Sequence, residues 1–146
     1  MSNAPNFSSI LDEAPSEVNR PQPLPKGTYL WRVGQWELRT VGEDGKELVE
    51  FSMQCLAPSD DVDEEDLAAA GGVEGKFTRL TFWLSDAYKL DEFHEHCGLD
   101  LEESASRRQR NDEVMNAQVY GYNKPRQDKN DKEKFYTNIT KTAPAS

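Results

Sequence analysis

The sequence predicts a mostly β domain, a small five-stranded barrel with one helix between its third and fourth strands and an acidic helical insertion before the third. Three observations lead there. In Phe77–Leu84, Leu80, Phe82 and Leu84 alternate with Arg79, Thr81 and Trp83, the two-residue period of a half-buried strand. From Ser85 the spacing changes to steps of three and four through Leu90, Phe93 and Cys97, and Gly98 supplies the left-handed residue that ends a helix. Two extended segments precede this junction and two follow it.

Taken in order, Met1 to Lys26 is a polar arm in which Pro21, Pro23 and Pro25 alternate, favouring polyproline II geometry and a stiff lead-in. Ile10 and Leu11 fit a short helical turn within it, and a ligand for a proline-recognition domain is the alternative to a spacer. Gly27 to Arg39 reads as the first strand, with Gly34 marking a bulge or sharp bend. Asp44-Gly45 is a hairpin signal, and Leu48 to Leu56 returns as the second strand. Val49, Phe51, Met53 and Cys55 then face inward, with Glu50, Ser52 and Gln54 toward water. Residues 58–75 read as a helical insertion over Asp60 to Ala70, capped by Ser59 or Asp60, acidic at its favourable end and stopped by Gly71-Gly72. A calcium loop is the alternative, but the alternating ligands and central glycine of an EF-hand loop are missing.

After Phe77–Leu84, Ser85 offers a capping hydroxyl and Asp86 a charge beside the positive helix end. Leu101 to about Glu113 forms a second short helix bearing Arg107, Arg108 and Arg110. Ala117 to Lys124 is the fourth strand, Pro125 to Glu133 a charged loop with a basic tip, Lys134 to Thr140 the last strand, and 142–146 a frayed tail. The division is an arm over 1–26, a domain over 27–141 and a tail. Three strands, a helix and two strands is the order of an OB barrel, so the expected fold is OB-like.

A chain of 146 residues makes one domain with a core of its own. Cys55 and Cys97 form neither a disulfide framework nor a paired-cysteine zinc spacing. No charged segment leads an apolar run at the N-terminus, and no stretch approaches the roughly 20 apolar residues that cross a bilayer. The sequence therefore predicts a soluble, intracellular protein. The net charge of −10 is uneven: residues 1–75 hold 5 basic and 15 acidic groups, residues 76–146 hold 12 of each, and residues 117–146 hold 6 basic against 3 acidic. A basic surface can coexist with an acidic total, since exposed charges more than about 10 Å apart are screened.

No glycine-rich phosphate loop, nucleophile elbow or two-histidine zinc motif is present, so the expectation is a protein without catalysis, cofactor or metal. His94, His96 and Cys97 are the one cluster with ligand chemistry; on a helix His94 and Cys97 share a side whereas His94 and His96 do not, and the alternative is a histidine pair suited to a helix C-terminus. The stronger pattern is aromatic and basic residues on the outward side of the sheet. With Leu80, Phe82 and Leu84 inward, Arg79 and Trp83 point out; with Val119 inward, Tyr120, Tyr122 and Lys124 do; with Phe135 and Ile139 inward, Tyr136 does; Arg32 and Trp36 join them. Rings that stack on bases and cations that follow phosphates bind single strands without sequence preference. The same rings could instead pack beneath the arm or the insertion.

Three stretches, Leu24-Pro-x-Gly-Thr-Tyr29, Asp63-Glu-Glu-Asp-Leu-Ala-Ala-Ala-Gly-Gly72 and Phe93-x-x-x-Cys-Gly-Leu-Asp100, resemble a group of small bacteriophage and prophage proteins. The resemblance covers roughly residues 7–140 and implies an OB-like, single-stranded-DNA-binding, recombination-associated protein, carrying over no contact residues. The sequence thus predicts a binder of single-stranded DNA in phage replication or recombination, in the cytoplasm of the infected bacterium, with replication or recombination proteins or further copies of itself as partners. Its rivals are a phage structural or protein-interaction factor that does not bind nucleic acid and, third, an acidic DNA mimic.

Overall fold

The structure, a computed structural model, describes residues 23–101 and 105–145; the arm before Pro23, with its Ile10–Leu11 turn, lies outside the described residues. In chain order the elements are β1 (Gly27–Val41), β2 (Lys46–Pro58), α1 (Glu64–Ala69), β3 (Phe77–Trp83), α2 (Ala87–His96), α3 (Arg107–Glu113), β4 (Gln118–Asn123), β5 (Arg126–Gln127), β6 (Phe135–Tyr136) and β7 (Ile139–Pro144). The fold is mostly β. One antiparallel sheet has the order β3-β2-β1-β4-β7, and β5 pairs with β6 as a separate ribbon. β3 and β7 are the two edges of the sheet and do not pair with each other, so the sheet is open.

β1 spans both neighbours because it bends. Val33 pairs with Met53 and Trp36 with Phe51, leaving Gly34 and Gln35 opposite Ser52 alone: a bulge at the glycine the sequence marked. A Cβ on Gly34 would lie 3.0 Å from the Ser52 carbonyl oxygen, so the bulge tolerates little else. The inner face then carries Tyr29, Trp31, Val33, Val49, Phe51, Met53, Cys55, Val119 and Leu80, all buried. Helix α2 lays Leu90 and Phe93 into that face, where Phe93 meets Phe51 and Phe82 at ring separations of 5.0 and 5.1 Å. Opposite Trp31, Gly121 makes room: a Cβ there would sit 2.9 Å from the indole, whose Nε1 donates to the Gly121 carbonyl at 3.2 Å.

Several local expectations are corrected. Ser85 does not cap α2; it lies in a 3-10 turn, Leu84–Asp86, and the N-cap is Asp86, which makes no side-chain capping bond. The insertion helix begins at Glu64 rather than Asp60, because Asp61 is drawn away to accept from Thr28 N and Oγ1 at 2.8 and 2.7 Å, and Asp63 takes the cap. Glu50 points to the outer face yet is buried, covered by Arg39 and Arg79, which donate to its two carboxylate oxygens at 3.0 and 2.8 Å. The last strand is Ile139–Pro144, so most of the supposed tail is paired with β4. Phe135 is exposed rather than core, because the non-strand residues Thr137–Asn138 separate β6 from β7 and end the alternation that would link it to Ile139.

Candidate functional site

β3 is an edge strand, and its register decides what it offers. Leu80 pairs with Phe51 and Phe82 with Val49 on the inner face, which turns Phe77, Arg79, Thr81 and Trp83 to the outer one. The ribbon of β5 and β6 faces this edge across a groove of about 610 Å³, lined on one side by Phe77, Arg79 and Thr81 and on the other by Arg126, Phe135 and Tyr136. Three rings stand exposed there: Phe77 at 62%, Phe135 at 43% and Tyr136 at 38%. Burying a ring removes a large apolar area from water, and the fold leaves these three outside.

The ribbon is held from within and at its base. The Asp128 carboxylate accepts from Tyr136 Oη at 2.6 Å and from the amides of Asn130 and Asp131 at 2.8 and 3.0 Å. The Tyr136 hydroxyl beside it, then those amides, hold Asp128 below the ordinary carboxylate range. Its charge is thus spent on the turn, and Lys134 lies 5.4 Å from the Tyr136 ring. At the base, the fully buried Asn123 donates from Nδ2 to the carbonyls of Leu24 and Pro25 at 2.8 and 3.0 Å and accepts from Asn138 N at 2.7 Å. Thr137 completes the joint: its Oγ1 accepts from Leu24 N at 3.1 Å, and its carbonyl accepts from Thr78 Oγ1 at 3.0 Å. The ribbon is therefore fixed to β3, β4 and the incoming chain at one point.

Of the outward residues expected from sequence, Arg79 and Tyr136 line the groove and Lys124 stands exposed at the ribbon base. Arg79 is half committed, since it shares Glu50 with Arg39 while its own side chain stays 66% exposed. Tyr120 and Tyr122 are half-buried on the same sheet face but on β4, with Lys141 5.1 Å from the Tyr122 ring. Arg32, also outward, donates to the Gln54 side chain. Trp83 lies at the far end of β3 opposite Leu48, outside the groove. Trp36 is not on this face at all: the bulge puts it opposite Phe51, where its Nε1 donates to Asp112 at 2.8 Å and Arg108 lies 5.6 Å from its ring.

Sequence reasoning missed Phe77, Phe135 and Arg126. The available signal was the Lys134-Phe-Tyr136 run inside an otherwise charged segment, with the polar Thr137 and Asn138 at the next two positions. The histidine cluster does not converge. His94 is buried with its Nε2 2.6 Å from Asn111 Oδ1, His96 Nδ1 lies 2.7 Å from Thr142 Oγ1, and burial pushes the Cys97 thiol up to about 12. Among the described residues no group of three His, Cys, Asp or Glu side chains could hold a metal ion, and no helix is long and apolar enough to cross a membrane. No known family model matches this chain, and no curated protein matches it.

Proposed function

We propose that this protein binds single-stranded nucleic acid, with the groove between β3 and the β5–β6 ribbon as its primary contact. The observation that carries the reading is three exposed rings, Phe77, Phe135 and Tyr136, gathered with Arg79 and Arg126 around one groove. A stacked base contributes about 1–3 kcal/mol whatever its identity, and the guanidinium groups supply the phosphate contacts. The net charge of −10 does not oppose this, because acidic groups beyond about 10 Å are screened.

The strand order supports an OB reading. β3-β2-β1-β4-β7 with a helix after the third strand is the order of an OB barrel laid open between its third and last strands. β7 then stands for the fifth strand, and the ribbon elaborates the loop before it, one of the loops through which OB folds bind oligonucleotides. The resemblance at residues 24–29, 63–72 and 93–100 adds the biological setting: single-stranded DNA in bacteriophage replication or recombination, inside the infected bacterium. The chemistry asked of the groove is binding, with no catalytic step. The rival from another class makes the same rings a docking surface for a protein.

Fluorescence anisotropy with labelled oligothymidine across a salt series separates the two. The nucleic-acid reading expects binding whose log affinity falls with log salt, with the slope shallower by about 0.7 in Arg126→Ala and again in Arg79→Ala. Absence of binding at low salt, or an affinity indifferent to salt, rejects it.

A further inference from the structure

The open gap between β3 and β7 does not end at the groove. Beyond Thr137, which lies just before β7 and whose carbonyl accepts from Thr78 Oγ1 at 3.0 Å, a cleft of about 400 Å³ is bounded by β3, α2 and β7. The two hollows meet at the β3 edge from opposite faces: the outward Phe77, Arg79 and Thr81 line the first, the inward Leu80 and Phe82 the second, and on the other side Asn138 lines the first and Thr140 the second. Leu80, Phe82 and Phe93 form an apolar floor, and Tyr88, Lys89 and Lys141 form the rim.

That rim repeats the chemistry of the groove. Tyr88 is 65% exposed, more than any other large hydrophobic side chain among the described residues, with Lys89 Nζ 6.0 Å from its ring. Lys141 covers Tyr122 at 5.1 Å. One carboxylate on the cleft opposes an anion: Glu92, whose Oε1 lies 3.9 Å from His96 Nε2. Lys89 and Lys141 outweigh it in number, and the exposed Tyr88 ring beside an apolar floor accepts sugar and base faces.

Resting on the single-strand reading of the groove, we infer that the cleft is a second subsite for the same strand, which leaves the ribbon on the outer face, passes over the open β3 edge beyond the Thr78–Thr137 bridge and ends between Tyr88 and Lys141. The occupant is a continuous single-stranded oligonucleotide long enough to reach both hollows.

The test compares oligothymidines of about 4 and about 12 nucleotides, within the range of site sizes that one OB fold covers. The longer probe should bind the wild type more tightly, and Tyr88→Ala and Lys141→Ala should each weaken the longer probe about fivefold or more while leaving the shorter within twofold. Alanine at an exposed helical position keeps α2 intact, and circular dichroism verifies that each variant is folded. Phe77→Ala should weaken both probes. If Tyr88→Ala and Lys141→Ala leave the longer probe unaffected, or weaken both probes equally, the second subsite is wrong while the groove stands. If neither probe binds the wild type, the groove reading fails and the subsite with it.

Discussion

Two inserted segments of similar length treat their apolar residues in opposite ways. Residues 58–75, before β3, carry seven acidic and no basic groups, and they tuck Val62 into the core with Leu67 and Val73 packed against it. Residues 124–138, before β7, carry five basic and three acidic groups and leave Phe135 and Tyr136 exposed. Each is stapled by a carboxylate. Asp61 ties the acidic segment to Thr28 of β1, close to Gly27, where a Cβ would lie 2.6 Å from Val62 Cγ2; Asp128 ties the ribbon only to itself. The acidic segment spends its apolar area on stability. The ribbon keeps its rings free beside Arg79 and Arg126, the arrangement on which the proposed single-strand binding rests.

The largest test of that difference is at Asn123. Asn123→Leu orphans the Leu24 carbonyl and the Asn138 amide, and should lower folding stability by roughly 2–5 kcal/mol in denaturant titrations while loosening the ribbon. The counterpart change Asp61→Ala, at an exposed contact, should cost clearly less. Equal losses would mean the two segments are anchored alike.

Aromatic and aliphatic truncations should then cross over. Phe77→Ala and Tyr136→Ala should weaken oligothymidine binding by roughly 1–3 kcal/mol, with stability within about 0.5 kcal/mol of wild type. Val62→Ala should do the reverse, costing about 1–2 kcal/mol of stability and no affinity. A Phe77→Ala variant that unfolds easily would return that ring to the core.

Smaller effects follow from charge. Glu64 and Glu65 occupy the first turn of α1, so Glu64→Gln and Glu65→Gln should each cost about 0.3–1 kcal/mol of stability. The salt slope of oligothymidine binding should not move, in contrast to Arg126→Ala. A slope altered by the glutamine variants would place the acidic segment within reach of the bound strand.

The smallest effect is on pH. The Thr28 amide and hydroxyl hold Asp61 below the ordinary carboxylate range, and the Tyr136 hydroxyl does the same for Asp128. A depressed folded value means the contribution to stability is complete above the unfolded value and is lost as pH falls through the folded one. The amide resonances of Thr28, Asn130 and Asp131 should therefore titrate below the ordinary range. Titration within that range would show that neither staple forms in solution.

The period-two runs of β2 and β3, the turn at Asp44-Gly45, the glycine bulge in β1 and the helix after β3 were legible because each is set by neighbours within a few residues. Trp36 was misplaced by counting straight through Gly34. The bulge spends two residues opposite one, so Tyr29, Trp31 and Val33 face inward before it and Trp36 after it, and that swap depends on the pairing with Ser52 rather than on local pattern. The ribbon was invisible for the same reason. Its base is held by Asn123 bonding to carbonyls 98 and 99 residues away, and its outer wall is β3, a strand met some fifty positions earlier. Local periodicity thus determined the strands and helices of this chain. Tertiary structure decided which ring faces which partner, since the face of a side chain follows from register and register is a relation between distant segments.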